Sequence, residues 1–153
     1  MSQIDIAVDQ LKLAFEGDPW HGPALMDILD GIDATKAAAR PMKTAHSIWE
    51  LVLHIAGWEN VMIRRLHGEA LQLSDPENFG HIEQVNESNW KQAVETLRRT
   101  HAQLIEEVAA LSEARLKERV PSKPYDILFM LWGAVQHVAY HGGQIALLKK
   151  AQA

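Results

Sequence analysis

The chain contains no cysteine in 153 residues. That absence removes disulfides, zinc–thiolate sites and a cysteine nucleophile together, and it fits a reducing cytoplasm. An excess of positive charge is also missing, since 15 Lys and Arg against 20 Asp and Glu leave a formal net charge of −5. No cluster of Arg and Lys interleaved with aromatic residues offsets that balance, so no nucleic-acid face is expected. Residues 1–6 lack the basic and apolar regions of a secretory signal, which again points to the cytoplasm. No Ser–His–Asp order, no phosphate-cradling glycine loop and no prominent carboxylate pair is legible. No convincing strand pattern appears either.

What is present is helical periodicity on a chain long enough for one domain, taken as 1–153. Ile4, Val8, Leu11 and Phe15 recur at helical spacing until Gly17-Asp18-Pro19. Short helical pieces follow within 22–31 and 33–39. Ser47 and Glu50 form a capping-box signature that opens a long helix to about Leu66. Residues 67–86, with Gly68, Pro76 and Gly80, read as a long connection without period. An amphipathic helix is expected from about 87 to 111, with Trp90, Leu97, His101 and Leu104 on one face. Pro121 and Pro124 bracket a turn before a last helix from 125 to about 149, where Lys149 and Lys150 suit the C-terminal dipole. Four long helices with one long middle connection imply an all-α four-helix bundle, in which that connection lets the second and third long helices run parallel.

Residues 127–148 carry no charged side chain, yet they include Gln136, His137, His141 and Gln144. Polar groups of that kind need partners inside lipid, so the run reads as a helix buried at the centre of a bundle rather than a membrane span. His137 and His141 stand at i and i+4, which stacks both imidazoles on one helix face. His54 lies in a second apolar stretch, 48–56, whose only charge is Glu50. Three neutral imidazoles with an open fourth position are the donor set of a catalytic metal site. An i, i+4 histidine pair also serves as ordinary hydrogen-bonded core, and spacing alone leaves both readings open.

The segments 45–58 (AHSIWELVLHIAGW) and 136–145 (QHVAYHGGQI) resemble the two signature helices of the DinB/YfiT-like superfamily, and Trp20-His21-Gly22-Pro23 is similar to the lead-in of one branch. The resemblance implies a DinB-like four-helix bundle of up-down-down-up topology, commonly a homodimer, with a divalent metal on His54, His137 and His141. The first two long helices, whose apolar positions exceed one narrow stripe, point to the same dimer. Relatives include bacillithiol S-transferases, a mycothiol-dependent isomerase and metal-dependent hydrolases. The resemblance therefore implies a small-molecule substrate attacked by water or by a low-molecular-weight thiol cosubstrate. A non-catalytic dimeric metal- or ligand-binding stress protein is the alternative. An all-imidazole site suits Zn or Ni, and also Fe or Cu.

Around that site, Gln144 shares the stripe of His137 and His141 and is a candidate partner for a neighbouring backbone or a ligand. Glu50 fits the capping box and stands one turn from His54, where it could orient the imidazole. Trp49, Trp58 and Trp132 read as core, with Trp58 a candidate pocket wall. His101 is a remote candidate for a fourth ligand. His21 and His46 would rim the cavity, and His67 and His81 read as loop residues. Gly142 and Gly143, each costing a helix about 1 kcal/mol relative to Ala, point to close helix approach.

Overall fold

The computed structural model describes residues 1–153 and contains seven α-helices, one 3₁₀ turn and no strand. The long helices are α1 (Gln3–Glu16), α4 (Ile48–Leu66), α6 (Glu87–Ala109) and α7 (Ile127–Lys150). The short ones are α2 (Leu25–Leu29), α3 (Ala34–Ala38) and α5 (Asp75–Asn78), and the 3₁₀ turn is Glu113–Lys117. Each long helix starts where a side chain takes up a free backbone N–H. Ser2 accepts from Asp5 N, Ser47 from Glu50 N, Asn86 from Asn89 N and Asp126 from Phe129 N. The Asp126 cap starts α7 two residues after the expected Tyr125. Tyr125 instead gives its carbonyl to the Val120 N–H at 3.0 Å, beside the isolated bridge between Arg119 and Asp126.

Both α1 and α4 pack against α6 and α7, so the four long helices enclose a common interior. The starts of α4 and α6 meet the ends of α1 and α7 in one apolar cluster of Phe15, Ile48, Val52, Trp90, Leu97 and Ile145. The opposite ends meet in a second cluster containing Leu11, Leu66, Leu104, Val108 and Leu131. The connection after α4 therefore carries the chain back along the bundle before α6 begins. Fully burying one such Leu or Ile contributes about 1.5–3 kcal/mol. Trp90 also donates its indole N–H to the Ile32 carbonyl at 2.7 Å, fixing the start of α6 to the α2–α3 segment.

α4 buries 13 of its 19 residues, and α3 and α5 are among the elements packed on it. The wide apolar surface of this helix is thus used inside the chain, which removes it as a reason to expect a dimer. α7 is a wall of the bundle rather than its centre. Phe129, Tyr140 and Leu147 on its outer side are 63%, 66% and 67% exposed. No helix is long and apolar enough to cross a membrane. Lys149 serves another helix as well as its own position, since its Nζ donates to the Ile28 and Asp30 carbonyls at the end of α2. Gly142 is buried with Ile28 Cδ1 3.6 Å from where its Cβ would stand, whereas Gly143 faces open space. A Cβ would fit at either position, so close helix approach accounts for neither glycine.

Candidate metal centre

His54 projects from the middle of α4, and His137 and His141 project from successive turns of α7. Their Nε2 atoms converge. His137 Nε2 lies 3.0 Å from His54 Nε2 and 3.1 Å from His141 Nε2, and one ligand atom from each of the three lies within 4.8 Å of the others. Two of the rings are held from behind. His54 Nδ1–H donates to the Asn78 carbonyl at 2.6 Å, and His141 Nδ1–H donates to Gln144 Oε1 at 2.6 Å. A neutral imidazole that donates from Nδ1 keeps a lone pair on Nε2. His54 and His141 therefore both aim lone pairs at His137 Nε2, which can donate a proton to only one of them. One of the two close contacts is left with no proton to bridge it.

Protonating the rings does not relieve this near neutral pH. Burial pushes His137 down to about 3, helped by the positive charges that His141 and His54 would carry. Burial likewise lowers His54, although the Asn78 hydrogen bond opposes it, and His141 and His46 add further repulsion. Burial lowers His141 too, against the Gln144 hydrogen bond. A small cation is the species that three converging lone pairs suit. Two imidazole nitrogens about 2.0–2.1 Å from a shared Zn²⁺ at a tetrahedral angle stand roughly 3.3 Å apart, close to the 3.0 and 3.1 Å found here.

The connection between α4 and α6 supplies the back of the site. α5 sets Asn78 so that its backbone holds His54 while its side-chain oxygen accepts the Trp58 indole N–H at 2.7 Å. Phe79 then stacks on His54, ring centroids 4.2 Å apart, and on His46 at 3.5 Å. Trp58 stands edge-on to His54, at 6.5 Å. Asn78 and Phe79 were not among the residues anticipated from the sequence. Their signal was Ser74 and Glu77, the same capping spacing as Ser47 and Glu50, which folds one helical turn inside the expected featureless connection.

The other candidates separate. Gln144 and Trp58 adjoin the cluster as described. Glu50 has no bond to His54 and instead accepts the Ser47 N–H at 2.7 Å and pairs with Arg40 at 2.5 Å. Burial pushes the Glu50 carboxyl up, but the Ser47 hydrogen bonds and the Arg40 and His46 charges hold it below the usual range. His101 is far from a ligand role, with both ring nitrogens engaged by Glu59 Oε1 at 2.7 Å and the Leu11 carbonyl at 3.1 Å. Trp49 packs against Trp90 in the core, at 5.3 Å. His46 lines a cavity of about 460 Å³ that opens beside His141 and Gln144, whereas His21 is exposed and does not line it. His67 is exposed and pairs with Glu107 at 3.1 Å.

No curated protein and no solved structure matches the chain. The family model described as the DinB superfamily matches residues 20–145, a span that contains His54, His137 and His141 together with the Asn78–Phe79 support. With most of its length matched and a mostly helical fold that agrees, the chain belongs to the DinB superfamily.

Proposed function

We propose that this protein is a divalent-metal-dependent enzyme in which His54, His137 and His141 hold one ion, and that water or a low-molecular-weight thiol attacks an electrophilic small molecule beside it. The observation that carries the reading is the convergence of three Nε2 atoms with at most one proton among them. When bound, a divalent ion supplies Lewis acidity that makes water or a thiol nucleophilic near neutral pH. The chain's own residues do the positioning. The Asn78 carbonyl and the Phe79 ring fix the plane of His54, and Gln144 fixes that of His141. These contacts also select the tautomer with a free Nε2 lone pair on each. Attack by water gives hydrolysis, and attack by a thiol gives S-transfer. The absence of cysteine supports a cytoplasmic setting, and family membership supports a homodimer.

Protein purified without a His tag is expected to retain about one divalent ion per chain. Elemental analysis of wild type and His141→Ala tests this, and equal metal content in both overturns the assignment. Turnover is then sought across a panel of electrophiles, with and without a small thiol. Activity should vanish on chelation and in each of His54→Ala, His137→Ala and His141→Ala. Activity that survives all four treatments refutes the reading. Silence across the panel, with metal retained, favours a binding protein instead.

A further inference from the structure

The cavity beside His141 and Gln144 carries a statement about the ligand. Seven of its eleven lining residues are hydrophobic, and none is Asp, Glu, Lys or Arg. Its floor is core, since Leu51 and Leu148 are 2% and 3% exposed. Its rim is apolar and open to water, with Met42, Tyr140 and Leu147 between 54% and 67% exposed. On the adjoining segment Arg40 pairs with Glu50 at 2.5 Å, and the exposed Lys43 is not one of the residues that line the cavity. Hydrogen-bonding groups are confined to a few positions, among them Thr44, His46 and Gln144.

We propose that this cavity binds the body of a neutral, mainly apolar small molecule whose reactive end lies at His141. The proposal deepens the metal-enzyme reading by naming its substrate class, and it rests on that reading for the placement of the reactive end. An ionic group entering the cavity would give up hydration and meet no countercharge among the lining side chains, which disfavours carboxylated, phosphorylated or cationic ligand bodies. Burying the exposed faces of Met42, Tyr140 and Leu147 against a ligand removes apolar surface from water, which supplies the drive for binding. A volume of about 460 Å³ lies within the range of about 300–1,000 Å³ that holds small molecules. The depth favours such a molecule over a second copy of the chain, because the space reaches the buried side chains of Leu51 and Leu148.

Two fluorescent probes with one aromatic skeleton test this on the metal-loaded full chain. N-phenyl-1-naphthylamine is neutral, and 1-anilino-8-naphthalenesulfonate carries a sulfonate. The neutral probe should bind at least about tenfold more tightly. Leu147→Arg places a cation in the exposed rim and should weaken the neutral probe while tightening the anionic one. Met42→Arg, also at an exposed position, should shift the preference in the same direction. Metal content should stay unchanged in both variants, so failure here is distinguishable from failure of the metal centre. Equal affinity for the two probes in wild type overturns the proposal. So does neutral-probe binding that neither arginine changes. Binding confined to the monomer and lost on self-association also overturns it, assigning the cavity to a second copy.

Discussion

Replacing Gln144 by alanine separates a metal centre from a purely structural histidine cluster. Gln144 Oε1 accepts the His141 Nδ1–H at 2.6 Å, so Gln144→Ala frees the ring without deleting any converging nitrogen. Losing a partner of this kind weakens metal affinity by about 10–100-fold. A ligand present at about 1,000 times its Kd stabilises the folded state by about 4.1 kcal/mol. At that metal concentration Gln144→Ala should gain only about 1.4–2.7 kcal/mol, because the same concentration is then about 10–100 times its own Kd. A chain of this size shifts in Tm by about 2–4 °C per kcal/mol. Zn²⁺ or Ni²⁺ should therefore raise wild-type Tm by about 8–16 °C over the chelated protein, and Gln144→Ala by one- to two-thirds of that. His141→Ala should barely respond. Thermal melts followed by circular dichroism, each variant against its own chelated form, measure these gains directly. Equal rises in all three proteins would show that the ion is bound elsewhere.

The buried Glu59–His101 pair gives a stability prediction independent of the metal. Burial pushes the Glu59 carboxyl above its ordinary value of 4.5, against the His101 hydrogen bond, so ionising Glu59 opposes folding. Its contribution to stability should fall as pH rises from the ordinary value through the raised one, and Glu59→Gln should lack that fall. Urea titrations across this window decide it, and a wild-type-to-E59Q difference that stays flat with pH refutes it. His101→Ala removes a ring stacked on Phe15 at 3.9 Å and strands both Glu59 and the Leu11 carbonyl, at an expected cost of about 3–5 kcal/mol by the same titrations. Gly80 has φ +64°, and a Cβ there would stand 3.1 Å from Leu53 Cβ and Cδ1. Gly80→Ala should cost about 1–2 kcal/mol and also weaken metal binding, because Asn78 and Phe79 are displaced with it. Isothermal titration with Zn²⁺ that gives wild-type affinity refutes that coupling. Light scattering at micromolar concentration should report twice the 17.2 kDa chain mass, and a clean 17.2 kDa species refutes the homodimer.

The helices and the three histidines were legible in the sequence because their determinants are local. Helical periodicity, the cap at Ser47 and the i, i+4 spacing of His137 and His141 involve residues within a turn or two of each other. Chain order alone could not bring His54 to that pair across more than eighty residues, and family resemblance supplied the link that the fold then displayed. Glu50 shows a local signal correctly read, since its capping geometry leaves nothing for His54.

What only the tertiary structure decided depends on contacts between distant segments. The connection after α4 has no hydrophobic period, and the capping spacing of Ser74 and Glu77 marks one helical turn without saying that Asn78 and Phe79 would reach His54. Glu59 stands among apolar residues of α4 with no local partner, and only the packing of α1 and α6 brings it His101 and brings His101 the Leu11 carbonyl. The charge-free run of α7 suggested a central helix, yet the interior has room for one side of each long helix, so Phe129, Tyr140 and Leu147 remain outside. Composition and periodicity fix which faces are apolar. Which of those faces meet, and which polar atoms are left converging on one point, follows from how the four helices close on each other.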